Sequence, residues 1–339
     1  MVERVIFHIG RRKTGTSSLQ QWLIGNRAHL LDEHAILYPT AGLSKSGAHH
    51  VLARCLNPEL DDPASVGEIV RDCLSEVPGN GAILFSSENF PRIPDMSLAR
   101  DFIRKLGAKR VEVVCYVREH LDCAVSDWRE EVHSWRRDDS SFADYFARFL
   151  GREELRSGIS GFLERWSGLG DLHLGWYDRA VLKNGDIVED FFSRIGIVIE
   201  NRSMEEVNPS IGGNLLVFRL IHNRYDVENG NRAFGMQPYE IRMADYFNYI
   251  NLAKREKSFQ DAFYIPDSVA ARIRNSSEYN EVLFERLGPV ELRGWEAETP
   301  LPDLSRLGRD IDFIGNSLNM EPDRRFVEMC RESAPLFEL

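Results

Sequence analysis

The residues best equipped for chemistry lie almost at the N-terminus, in the run His8-Ile9-Gly10-Arg11-Arg12-Lys13-Thr14-Gly15-Thr16-Ser17-Ser18-Leu19-Gln20. A nucleotide-triphosphate loop reads G-x-x-x-x-G-K-[ST], with glycines that let backbone N–H groups crowd around phosphate oxygens and a lysine directly after the second glycine. Gly10 and Gly15 have that spacing, but Thr16 occupies the lysine position and the lysine stands inside the loop, at Lys13. Backbone N–H groups and the dipole at a helix start favour an anion. The hydroxyls of Thr14, Thr16, Ser17 and Ser18 add hydrogen-bonding groups, Gly15 allows close approach, and Arg12 and Lys13 bring positive charge. Lys13 is then placed at the outer end of the anion, where a leaving oxygen would sit. A Ser/Thr-rich helix cap beside a solvated lysine would use the same residues; a strand, two glycines, a lysine and four hydroxyls together favour the anion cradle.

Four further groups are candidates. Arg118 closes an apolar run, and Ser126 follows eight residues later, about two turns into the next helical stretch. An arginine fork and a serine hydroxyl could clasp one phosphate, although an arginine paired with Glu119 or Asp122 has the same spacing. Glu88 directly follows the apolar run Ala82–Phe85 and could accept a proton, pair with Arg92 or cap a helix. His49 and His50 precede the apolar stretch Val51–Leu56, where either could serve as a base or acceptor contact or be a buried core histidine. Trp128 and Trp135, seven apart, share a helix face with Arg129, Arg136 and Arg137 nearby; sugar stacking beside a basic patch and a core stripe with a solvated face both fit.

The elements that must position these groups are readable. Val5–Ile9 is an apolar run stopping at Gly10, and Leu19, Trp22, Leu23 and Leu30 then recur at helical spacing, which gives strand–loop–helix. Further strands are expected at Ala82–Phe85, Val111–Val117 and Leu172–Tyr177, with helices over the stretch carrying Leu121, Val125, Trp128 and Val132 and over Ile187–Ile195. Strands alternating with helices predict an α/β fold, P-loop-like and three-layered, with a central parallel sheet flanked by helices. Ligands in such sheets bind beyond the carboxyl ends of the strands, where Gly10–Gly15, Ser86–Asn89, Arg118 and Tyr177 all fall. Residues 1–205 form the expected core, and 206–339 a mainly helical remainder on the acceptor side, with loops at Asn223–Phe234 and Glu296–Leu307.

Lys13-Thr14-Gly15-Thr16-Ser17-Ser18 resembles the 5′-phosphosulfate loop of sulfotransferases that use 3′-phosphoadenosine 5′-phosphosulfate, and Val113–Arg118 with Ser126 resembles their 3′-phosphate motif, in the family's order and at about its separation. The likeness is closer to bacterial carbohydrate-type members than to the cytosolic small-molecule branch. It covers roughly residues 1–200 and is diffuse beyond 208, where Val207–Ser210 and Tyr279-Asn280 are faint echoes and the C-terminal Arg-Lys-Gly loop of the cytosolic branch is missing.

The resemblance implies in-line transfer of a sulfonate to a hydroxyl or amine of a carbohydrate-like acceptor, with 3′-phosphoadenosine 5′-phosphosulfate as co-substrate and no metal. Lys13 would neutralise the bridging oxygen as it leaves. Glu88 stands where cytosolic members carry their catalytic histidine, and carbohydrate sulfotransferases use glutamate, so Glu88 is the expected base and His50 the alternative; Ser87 could contact the sulfonate. Acceptor specificity would lie in Leu37–Leu56, Glu130–Ser141 and the last third. An ATP-dependent kinase is the competing enzyme class, disfavoured because no candidate strand is followed in the usual position by the Asp that would assist magnesium; Asp178 comes closest but follows Trp176-Tyr177. A non-catalytic nucleotide-binding protein is the third reading.

Composition narrows the partners. The chain of 339 residues carries 42 Lys and Arg against 53 Asp and Glu, a net charge of −11, which argues against nucleic-acid binding through bulk charge and requires a local basic pocket for any anion. No apolar run of about 18 residues predicts a membrane span. The N-terminal residues do not read as a secretory signal, and the five cysteines show no CxxC spacing, so reduced thiols in a cytoplasmic protein are expected. Oligomeric state has no signature.

Overall fold

The computed structural model describes residues 2–57, 59–60, 65–134, 136–150, 158–199, 209–230, 238–261, 265–288 and 301–339. The chain divides into two compact units, Met1–Arg118 with Ser157–Glu205 and Glu119–Arg156 with Glu206–Leu339. Residues 119–156 are grouped with the C-terminal part, whereas the sequence places them in the core of 1–205 and treats 206–339 as part of the same domain.

The first unit is built on five parallel strands, β1 (Arg4–His8), β2 (Ile36–Leu37), β3 (Ala82–Ser86), β4 (Arg110–Val117) and β5 (Asp171–Trp176), in the order β2-β3-β1-β4-β5. The strand order reverses around β1, with β3 on one side and β4 on the other, which is where open α/β sheets bind ligands. β1 is held in register by both neighbours: His8 lies opposite Ser86 of β3 and Val114 of β4. Short, near-continuous apolar runs suit such strands because both faces are covered.

The helices of this unit are α1 (Thr16–Gly25), α2 (Arg27–His34), α3 (His50–Cys55), α4 (Ser65–Glu76) and α5 (Ser97–Leu106), and, after the segment belonging to the second unit, α8 (Gly158–Ser167) and α9 (Ile187–Arg194). Alternate strand residues bury opposite faces. Ile6, Leu84, Val114 and Tyr116 join Leu19, Trp22 and Leu23 of α1 and Val188, Phe191 and Phe192 of α9 in one cluster. Phe7 points the other way, with ring centroids 5.7 Å from Phe85, 5.5 Å from Phe90 and 5.5 Å from Trp166 of α8; each such pair adds about 0.5–1.5 kcal/mol beyond area burial. The result is an α/β fold with a parallel sheet between helices. β2, only two residues long, was not expected from the sequence.

The second unit is helical among its described residues: α6 (His120–His133), α7 (Phe142–Leu150), α10 (Gly213–Glu228), α11 (Tyr239–Arg255), α12 (Asp267–Asn275), α13 (Glu278–Leu287), α14 (Leu307–Leu318) and α15 (Arg324–Arg331). The periodic residues Leu121, Val125, Trp128 and Val132 all enter its core. The expected loop at Asn223–Phe234 is helical as far as Glu228, and residues 231–237 lie outside the described residues. Residues 296–300 of the other expected loop also lie outside them, and Leu307 opens α14. The start of α6 is capped by Glu119, whose carboxylate accepts from Leu121 N and Asp122 N and from Asn280 Nδ2 at 2.8 Å, with Arg274 Nε 3.5 Å away.

The five cysteines are free thiols, four of them buried; burial pushes the thiols of Cys73, Cys115 and Cys330 up to about 12, so they stay protonated. Among the described residues no helix is long and apolar enough to cross a membrane.

Candidate functional site

All of the first-unit candidates come to the carboxyl edge of the sheet. Gly15 ends the loop as the N-cap of α1, at φ 71°. No side chain caps this helix start and its first turn holds no acidic residue, so it keeps the positive dipole end that suits an anion. A Cβ on Gly15 would come within 2.4 Å of the Tyr177 ring, so a side chain is excluded by both conformation and space. Lys13 takes the left-handed conformation as well, at φ 66°, and its carbonyl accepts from Arg118 Nη1 at 3.3 Å. The Arg118 guanidinium stands 5.8 Å from the Tyr177 ring centroid, and Tyr177 N donates to Val117 O. The ends of β4 and β5 therefore brace the loop that follows β1.

The hydroxyls of the loop divide by task. Thr14 is buried and donates to Arg11 O at 2.6 Å, so its hydrogen closes the loop. Thr16 is buried, and its methyl group lies where a Cβ on Gly10 would be 2.5 Å away. Ser17 is exposed and Ser18 half-buried, while Arg12 and Lys13 are half-buried. Two hydroxyls and two cations of this segment thus keep access to solvent.

A carboxylate is tied to this loop. Glu88 follows β3 by two residues, and its Oε2 accepts from Gln20 Nε2 at 3.0 Å. The same amide nitrogen donates to Ser86 Oγ at 3.1 Å. Gln20 is buried on α1, the helix that the loop begins. The other carboxylate oxygen, Oε1, lies 3.9 Å from His50 Nε2, and both side chains remain about one-fifth to one-quarter exposed. His50 Nδ1 is 2.8 Å from Ser87 Oγ and 3.2 Å from Asn89 Nδ2. Glu88 does not cap the following 3-10 turn Phe90–Arg92, whose N-cap is Asn89.

No known protein family, characterised protein or solved structure matches the chain. The chemical reading therefore rests on the residues themselves.

Two further histidines lie beneath the site and are excluded from acid–base work by burial. His49 Nδ1 accepts from Ser86 N at 3.2 Å, so its proton is on Nε2, which donates to Pro39 O at 3.0 Å. Burial drops its basicity to about 3. This removes His49 from the candidate bases and makes it the link between β3 and the segment before α3. His8 ends β1 with Nδ1 2.7 Å from Ser86 Oγ, and burial lowers it likewise to about 3. Its Nε2 has no hydrogen-bond partner among the described residues.

The second-unit candidates have other tasks. Trp128 is fully buried, 5.2 Å from Phe142 and 5.7 Å from Phe337, and so forms core; Trp135 lies outside the described residues. Arg129 is buried and donates to Ile211 O and Gln260 O. Arg137 pairs with Asp226 and donates to Asn223, and Arg136 pairs with Glu131. Neither a basic glycan patch nor a solvated face describes these arginines as a group, because Arg129 is buried against backbone carbonyls and Arg137 is paired with residues of α10. Ser126 is half-buried on α6. Asn280 receives His120 N and donates to Glu119, so it supports the start of α6.

The sequence placed Ser86 at this edge but assigned no role to it, to Gln20 or to His8. The position of Gln20 five residues beyond Gly15 placed it on α1, but only the fold brings it under Glu88.

Two outcomes follow from this geometry. Gly15→Ala adds a Cβ in a left-handed position, at about 1–2 kcal/mol, and collides with Tyr177. In a Tyr177→Ala background the collision disappears and only the conformational part remains, so thermal unfolding of the four proteins in the cycle should give a coupling of about 0.5–3 kcal/mol; strict additivity would refute the contact. His8 and His49 bind protons in the unfolded chain below about 6.5 but in the folded chain only near 3. The unfolded state thus takes up more protons, and stability falls as pH drops from about 6.5 toward 3, by up to about 1.4 kcal/mol per pH unit for each group. Urea midpoints measured from pH 7 to pH 4 should fall, with a shallower slope in His49→Gln; an equal slope would show that His49 is not held neutral.

Proposed function

We propose that the chain is a sulfotransferase that transfers a sulfonate from 3′-phosphoadenosine 5′-phosphosulfate to a carbohydrate-like acceptor, with a P-loop-like first unit as donor site. The observation that carries this reading is the Gln20 amide, which ties a part-exposed carboxylate to the helix whose uncapped start borders the loop. An anion cradle and a proton acceptor are thereby built as one object, as acyl- and group-transfer sites require.

The fit to such a donor rests on the helix start without side-chain cap or acid, the glycine that has no room for a Cβ, and the cations beside it. Arg12, Lys13, Gly15, Ser17 and Ser18 would hold the 5′ end, with Thr14 and Thr16 shaping the loop, and Arg118, at the end of β4, would meet the 3′-phosphate. The donor supplies an activated sulfonate whose departure leaves a bisphosphate. Lys13 stabilises the charge that develops on the leaving oxygen, and preorganised charge of this kind is commonly the largest single catalytic contribution. Glu88 takes the acceptor proton as the nucleophile attacks sulfur, a role typically contributing about 10²–10⁴-fold. Gln20 holds the carboxylate oxygen that the acceptor does not use.

Calorimetry with 3′-phosphoadenosine 5′-phosphate should give binding that depends on the 3′-phosphate and is unchanged by magnesium. Preference for magnesium-ATP would favour a kinase instead. With labelled donor, Lys13→Ala should lower transfer by at least about 10²-fold while the bisphosphate still binds, and near-normal activity would remove Lys13 from the chemistry. Glu88→Gln keeps the shape and the Gln20 contact region but cannot take a proton; a loss of about 10²–10⁴-fold in kcat with little change in KM is expected, and a pure KM effect would contradict the base assignment.

A further inference from the structure

The histidine beside the carboxylate has a fixed proton. Asn89 Nδ2, 3.2 Å from His50 Nδ1, carries only hydrogens to give. Ser87 Oγ, 2.8 Å from the same nitrogen, accepts from Asn89 N at 3.1 Å and has its hydrogen free to donate. Both neighbours therefore donate to Nδ1. The imidazole lone pair is used there, and the ring hydrogen is on Nε2, the nitrogen facing Glu88. His50 cannot act as a base through Nε2 in this arrangement; it is a donor. This resolves the choice between Glu88 and His50 within the site.

The gap between the two groups then describes the nucleophile. At 3.9 Å, His50 Nε2 and Glu88 Oε1 are too far apart for a direct hydrogen bond, yet one atom can lie within hydrogen-bond distance of both. Such an atom must receive a hydrogen bond from Nε2–H, give a proton to Oε1 and still hold an electron pair for attack on sulfur. An alcohol oxygen meets all three demands, with one hydrogen and two lone pairs. A neutral amine nitrogen has one lone pair, so accepting from His50 would consume the pair needed for attack. An ammonium has none.

We infer that the acceptor is an alcohol and not an amine, selected by the His50 Nε2–H and Glu88 Oε1 pair, an inference that rests on the donor reading given above. In the transfer the acceptor oxygen forms a bond to sulfur and its proton passes to Glu88. The bond from sulfur to the bridging oxygen breaks, and its electron pair leaves with the bisphosphate beside Lys13. His50 keeps its proton throughout and touches the acceptor oxygen, orienting the second lone pair toward sulfur.

The test uses the full chain, labelled donor and two matched small nucleophiles that need no specific acceptor pocket: 2,2,2-trifluoroethanol and 2,2,2-trifluoroethylamine, the latter largely neutral at pH 7. Alkyl sulfate should exceed sulfamate by at least about tenfold, the factor that one hydrogen bond is worth, although the amine is the stronger nucleophile in water. His50→Ala should lower the alcohol-to-amine ratio by about tenfold, and His50→Gln, which keeps an N–H, should retain most of the preference. Sulfamate equal to or above alkyl sulfate, or a ratio unchanged in His50→Ala, would overturn the inference while leaving the donor reading intact if the bisphosphate still binds by calorimetry. Loss of bisphosphate binding in the unaltered protein, or binding without transfer to either compound or to water, would overturn the donor reading and this inference with it.

Discussion

One amide group sets the geometry of the sheet edge. Gln20 has two N–H bonds to give and spends both on β3 and its continuation, one on Ser86 Oγ and one on Glu88 Oε2. Because Gln20 is buried, these bonds form away from competing water, and either one left unmade would strand a buried donor at about 1–3 kcal/mol. The helix that begins at Gly15 thus cannot shift along its axis without disturbing the carboxylate. Loop position and carboxylate position become a single variable, and the proposed transfer would need that, since a small misplacement of reacting groups is costly.

Beneath this amide, Ser86 gathers the rest. Its hydroxyl meets Gln20 and His8, its N–H is received by His49, and its carbonyl accepts from His49 N. Two imidazoles kept neutral by burial surround one strand residue. Imidazole suits the position because a single ring can accept at one nitrogen and donate at the other, which lets His49 join β3 to Pro39 without introducing charge. His8 completes only one of its two possibilities among the described residues. Its ring instead fills the space under Gly10, where a Cβ would be 2.7 Å from Nε2, and this explains why the first loop residue is glycine.

The order of the elements was legible because buried parallel strands leave continuous apolar runs and helices leave a 3.6-residue period. β1, β3, β4 and β5 all fall where those runs lie, to within a residue or two. The loop between β1 and α1 was legible because glycines at both of its ends mark where the strand stops and the helix begins. Gln20 was not, because an amide among apolar helix positions carries no sign of a partner 66 or 68 residues away. Nor could the sequence separate His49 from His50. Adjacent residues at the start of α3 point in different directions, so one ring is sealed among Tyr38, Phe85 and Pro39 and the other reaches Glu88. The arginines near Trp128 misled for a similar reason: charge in a sequence suggests surface, whereas guanidinium groups can be buried against backbone carbonyls, as Arg129 is.

The misplaced lysine has a physical account at the backbone. A lysine at φ 66° costs about 1–2 kcal/mol relative to a right-handed residue, and a glycine there would remove the cost. Strain at a non-glycine residue persists only where the surroundings over-determine it, and here they do: Arg118 Nη1 meets the Lys13 carbonyl, Thr14 closes back onto Arg11, and Gly15 is pressed against Tyr177. Three contacts from the ends of three different segments hold one peptide in an unfavourable turn. Relieving the strain with glycine would preserve the turn and lose only the ammonium. The side chain is therefore what distinguishes this loop from a less strained one with the same shape, and on the proposed reading its positive charge beside the donor is what such a substitution would remove.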